Sequence, residues 1–151
     1  MLAVTHAVAG AAIGWRVRRP LPRTLAALSS HALLDGVGHD DLSVGFAGQG
    51  LLAGGALAAL LIAWGPRSSV VWGALAAAAP DAEIALDRLL GQRERYLFPS
   101  HWQLPRRRGA HPYRYPGPGL HVLTEASLSL VVLAVLLAVG RRRSAGSPPA
   151  A

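Results

Sequence analysis

The chain contains no cysteine, which excludes disulfides, thiolate metal sites and cysteine nucleophiles. It contains no lysine either, so its net charge of +7 is carried by arginine alone. Charge of both signs is scarce: 15% of residues are charged, against about 25% in soluble domains, while 52% are hydrophobic. A soluble domain of 151 residues needs more polar surface than that. No G-x-S-x-G, H-E-x-x-H or Walker loop is present, which removes the familiar serine, zincin and phosphate-loop chemistries. The first apolar run has no basic stretch ahead of it; Arg16, Arg18, Arg19 and Arg23 follow it. That order predicts a retained first helix rather than a cleaved signal.

What the chain does have is apolar helical sequence. Five segments are read, at about 2–15, 24–37 (with Thr24 as N-cap), 44–64, 69–90 and 119–140. Pro80 is expected to kink the fourth. The third and fifth approach the roughly 20 residues that a spanning helix needs. The expected fold class is therefore all-α: an integral membrane helical bundle of about five helices, some short or kinked. A long polar loop, 91–118, precedes the last helix, within a membrane domain covering 1–140. Residues 141–151 form a basic, Ser/Gly/Pro/Ala-rich tail expected to be disordered. Small residues at four-residue spacing, Gly10 and Gly14, then Gly50, Gly54 and Ala58, favour close helix approach and allow a homo-oligomer through glycine faces.

A pI near 11.4 raises the question of nucleic acid. The arginines, however, cluster at the ends of apolar segments and in one loop, which suits the anionic headgroups of a lipid bilayer; no nucleic-acid partner is expected. If successive segments alternate sides, Arg16–Arg23, Arg67 and Arg141–Arg143 share one side, eight arginines in short flanks. The other side carries seven, all between Arg88 and Arg114. The positive-inside rule then places the first side, and the C-terminus, in the cytoplasm of a multi-pass inner-membrane protein.

The same alternation gathers the histidines and acids on the opposite side. His31, Asp35 and His39 are spaced i, i+4, i+8 and form one helical stripe. Such a stripe either presents metal ligands or is a hydrogen-bonded His–Asp pair at a helix end. Asp81 follows Pro80 in an apolar helix and is a candidate ligand or catalytic carboxylate, with a salt bridge to a loop arginine as the plainer reading. Glu83, about 200° away on a regular helix, is expected to form with Asp87 a polar face that meets Arg88 or the loop. His6 stands alone on an apolar helix, as a ligand or a satisfied core residue. His121 and Glu125 are spaced as a buried pair. His101 and His111 flank Arg106, Arg107 and Arg108, which suit a phosphate or headgroup contact. His39 and Asp40 join Asp81 as candidate catalytic groups. Metal-activated water is the hydrolytic chemistry these residue types leave open.

In their order, Thr5-His6 with Gly10 and Gly14, then Ser30-His31-Ala32-Leu33-Leu34-Asp35 with His39-Asp40, then Pro80-Asp81-Ala82-Glu83 and a His-bearing loop, resemble the predicted membrane-bound metal-dependent hydrolases. These small bacterial membrane proteins include the YdjM-like group. The resemblance covers about residues 1–137. It implies a divalent metal, zinc first and manganese or magnesium next, held by His6, His31, Asp35, His39 and Asp81 with His101 or His111. It departs from the family where P-D-x-D reads Pro80-Asp81-Ala82-Glu83, where Gly38 replaces a proline, and where the loop lacks an H-R-x-x-T-H element. The expected function is a metal-dependent hydrolase acting on a phosphoester or lipid-linked substrate. The competing expectation is a non-catalytic metal-binding, transport or assembly factor with a structural His/Asp cluster.

Overall fold

The computed structural model describes residues 2–36, 45–90, 97–103 and 118–146. The regular structure among these residues is all helical, with no strand: α1 (Ala3–Arg16), α2 (Pro20–Asp35), α3 (Gly45–Trp64), α4 (Ser69–Leu90), a 3-10 turn (Pro99–Gln103) and α5 (Pro118–Gly146). The expected segments are all present, with different ends. α2 starts at Pro20, not after Thr24, because proline lacks the N–H that the first helical position leaves unpaired anyway. α4 runs unbroken through Pro80. α5 continues past Gly140 to Gly146, taking in the first residues of the expected tail.

Windows in α3 (Ala47–Trp64), α4 (Ser69–Leu86) and α5 (Leu123–Arg142) are long and apolar enough to cross a membrane. Their outer faces carry exposed Leu51, Leu52, Leu61, Ile62, Trp72, Leu75, Leu128, Leu130, Val131 and Val135. Apolar side chains turned outward on apolar helices are what a lipid solvent accepts and water does not. α1, with 14 residues, is about 21 Å long, too short to span alone.

Despite that length α1 is the centre of the bundle, packing on α2, α3, α4 and α5. Its tightest neighbour is α4. A Cβ on Gly10 would collide with the Gly73 carbonyl and the Ala77 side chain, one on Gly14 with the Ser69 carbonyl, and one on Gly73 with the Gly10 carbonyl. The obstructing atoms are mostly backbone, so this approach is available only to glycine. The Gly10/Gly14 face is thus used within the chain, whereas nothing lies within 4 Å of a Cβ at Gly50 or Gly54. Beside this crossing Ala11, Val70, Val71, Ala74, Leu60 and Leu136 form one buried cluster; Leu2, Val4, Val8 and Ala56 form another.

The N-terminus of α1 is held from its neighbours. Leu2 N–H donates to Glu125 Oε1 (2.7 Å), Ala3 N–H to Gln49 Oε1 (2.9 Å), and Thr5 Oγ1–H to Glu125 Oε1 (2.8 Å). The first N–H groups of a helix have no partner within it, and α1 lacks a capping side chain of its own. Glu125 on α5 and Gln49 on α3 supply what is missing, and so set the depth of His6 in the bundle.

Candidate metal centre

Three helices and the 3-10 turn bring polar groups together where α1, α2 and α4 meet. α1 and α2 run antiparallel, which sets His6 against His31 with ring centroids 3.9 Å apart and planes 26° from parallel. The glycine crossing draws α4 in, so that Ala77 and Asp81 reach the same point. His6 and His31 are 1% and 0% exposed, and His101 is 3% exposed; imidazoles this deep need partners.

Two of them have partners on the side facing away from the cluster. His31 Nδ1 lies 2.7 Å from the Ala77 carbonyl, which can only accept, so Nδ1 carries the proton. His101 Nδ1 lies 2.7 Å from Glu83 Oε1 and donates to it. Glu83 also accepts the N–H groups of Leu97 (2.6 Å) and Phe98 (3.0 Å) and thereby binds the turn to α4. Both imidazoles in their neutral form therefore turn an unprotonated Nε2 inward. A histidine held from behind by a carbonyl or carboxylate is the arrangement in which imidazole binds metal.

The two inward Nε2 atoms are 3.3 Å apart. Asp35 Oδ2 lies 3.1 Å from the first and 3.5 Å from the second. Ligands about 2.0–2.2 Å from a tetrahedral ion stand about 3.3–3.6 Å from one another, so this triangle matches one face of such a tetrahedron. Asp81 Oδ1 is farther out, 3.8 Å from His31 Nε2 and 3.9 Å from His101 Nε2. On the opposite side of Asp35, Oδ1 lies 3.2 Å from His6 Nε2. That contact is out of line for a hydrogen bond, and both ring nitrogens of His6 are buried without a hydrogen-bond partner, as is Asp81 Oδ2.

Four lone-pair atoms converge here, and the Ser100 hydroxyl, which donates to Asp35 Oδ2, does not offset their mutual repulsion; positive charge among them would. Protons or a cation can supply it. In the proton-filled state burial pushes Asp35 upward, but hydrogen bonds from His101, His31 and Ser100 outweigh it and hold the carboxyl below the usual range. Burial draws His101 down, and its bonds to Asp35 and Glu83 reverse that, holding it above its ordinary 6.5. The residues fit a divalent cation by donor type: two imidazoles and the Asp35 carboxylate are a set zinc accepts with a fourth position open, and Asp81 Oδ1 stands just outside them.

No family model matches this chain. Neither a curated protein nor a solved structure is similar to it.

Of the residues singled out from the sequence, His6, His31, Asp35, Asp81 and His101 come together. His31, Asp81 and His101 each offer a ligand atom within 4.8 Å of the other two, as do His6, His31 and Asp35. His39, Asp40, His111 and Arg106, Arg107 and Arg108 lie outside the described residues. Glu125 is bonded to α1; the side chain of His121 is outside the described set. Glu83 does meet the loop, as its helical angle requires, yet it reaches the centre through His101. Ser100, whose hydroxyl donates to Asp35 Oδ2, gave no signal in the sequence, since serine in a polar loop is unremarked without the fold.

Proposed function

We propose that this chain is a membrane-embedded, metal-dependent hydrolase with its centre formed by His31, His101, Asp35 and Asp81. One observation carries the reading: three unprotonated or anionic ligand atoms 3.1–3.5 Å apart, with the two imidazoles anchored from behind. The lipid-facing Leu and Val residues of α3, α4 and α5 support the membrane setting. Zinc suits the nitrogen and oxygen donors best, with manganese or magnesium as substitutes.

A bound divalent ion would supply Lewis acidity and bring a water's pKa down to about 7. The chain's own groups do the rest. His31, His101 and Asp35 hold the position. Asp81, its side chain 26% exposed and its Oδ2 without a partner, is the group that would orient and deprotonate the attacking water. Loop arginines Arg106, Arg107 and Arg108 would meet a phosphoryl oxygen of a phosphoester or lipid-linked substrate. The resemblance to the predicted membrane-bound hydrolases points the same way. The helix directions put Arg16, Arg18, Arg19, Arg67, Arg141 and Arg142 at the end of the bundle away from the centre. The positive-inside rule then gives an inner-membrane protein with its C-terminus in the cytoplasm and its centre toward the other face.

The test is metal content and turnover of the full chain purified in detergent, beside His31→Ala/Asp35→Ala. The expected result is zinc or manganese retained by wild type and absent from the double mutant, with hydrolysis of a phosphoester or a phospholipid substrate by wild type alone. Equal metal in both sinks the reading. Metal without turnover favours a non-catalytic metal-binding or assembly protein.

A further inference from the structure

Asp35 uses both of its carboxylate oxygens, and they face different histidines. Oδ2 looks toward His31 (3.1 Å) and His101 (3.5 Å), and Oδ1 toward His6 (3.2 Å). His6 takes no part in the four-residue centre described above. It is 1% exposed, and neither ring nitrogen has a hydrogen-bond partner. A buried polar ring left in this state costs stability with no return unless something binds it.

Its neighbour indicates what that would be. The His6 and His31 rings are stacked with centroids 3.9 Å apart and planes within 26° of parallel, and both present Nε2 to the same carboxylate. Two near-parallel imidazoles, each with an ion off its Nε2, separate those ions by about the ring spacing. Paired catalytic ions sharing a carboxylate lie about 3.5–4 Å apart. One bridging carboxylate with an imidazole behind each oxygen has that spacing built in.

We propose that the centre holds two divalent cations bridged by Asp35, the second bound by His6 Nε2 and Asp35 Oδ1. This rests on the metal-centre reading above and extends it. With two protein ligands, the second position is completed by solvent, which suits manganese or magnesium, ions that keep several waters. His31 and His101 define the tighter position, and His6 the looser one.

The experiment is Mn(II) titration of the metal-free full chain in detergent micelles, followed by equilibrium dialysis and by electron paramagnetic resonance. Wild type is expected to bind about two equivalents, the second more weakly, and to show the exchange-coupled spectrum of ions about 3.5–4 Å apart. His6→Ala is expected to bind one equivalent and give an uncoupled six-line signal. One equivalent in wild type with an uncoupled signal overturns the second ion and leaves the first standing. No manganese or zinc in wild type removes the metal centre as a whole. The wild-type stoichiometry and coupling decide the matter even if His6→Ala fails to fold.

Discussion

Glu83 does not face the converging ligand atoms, yet its removal should cost metal affinity. Its carboxylate accepts three bonds: from His101 Nδ1 at 2.7 Å, Leu97 N–H at 2.6 Å and Phe98 N–H at 3.0 Å. Glu83→Ala leaves all three donors without that acceptor and frees His101 to rotate or shift with its turn. A hydrogen bond to a charged group is worth about 1.5–3 kcal/mol, and a carboxylate behind a ligating histidine about 10–100-fold in metal affinity. The two ranges agree, since 10–100-fold is about 1.4–2.7 kcal/mol. Glu83→Gln keeps an acceptor oxygen but loses the charge, so it should fall between wild type and alanine. The assay is competition for zinc against a chromogenic chelator in detergent, with circular dichroism to check that helix content is kept. If Glu83→Ala binds zinc within about twofold of wild type, His101 is not held by Glu83 and the account of the turn is wrong.

Three further outcomes follow from the packing and the charges. Gly10→Val should lower thermal stability in detergent by about 1–3 kcal/mol, because the atoms in its way belong largely to the backbone of α4. Gly54→Val, where nothing lies within 4 Å, should leave the unfolding midpoint in place, and equal effects would refute the crossing. Glu125→Ala strands the Leu2 N–H, leaves the Thr5 hydroxyl only Ser129, and should cost about 1–3 kcal/mol by the same measurement; an unchanged midpoint would mean that α1 is capped otherwise. For pH, His101 is held above 6.5 in the metal-free fold, so its contribution to stability is present below that value and lost as pH rises through the raised one. Asp35 is shifted the other way, so its contribution is present above the ordinary 3.8 and is lost only as pH falls through the lowered value. Metal needs neutral imidazole, so zinc affinity should rise as pH increases through the raised His101 value, with protons released on binding. A flat profile would show that no histidine proton is displaced.

The helical class and its apolar spans were legible in the sequence because both rest on composition and on local periodicity. So was the His31–Asp35 pair, since i and i+4 share a helix face whatever surrounds them. That His6, His31 and His101 share one end of the bundle also followed from the order of segments, each helix reversing the last. What the sequence could not determine was which of those groups meet. Placing His6 against His31 depends on the antiparallel packing of α1 on α2. Bringing Asp81 to the same point depends on the approach of α1 to α4, which only three glycines allow. His101 and Glu83 lie 18 residues apart and meet only because backbone N–H groups of Leu97 and Phe98 dock the turn on α4. Glu83 leaves its helix about 200° from Asp81, away from the ligand atoms. In three dimensions that direction gives it the far side of His101. Sequence determines which way a side chain leaves its helix; only packing decides what stands there to receive it.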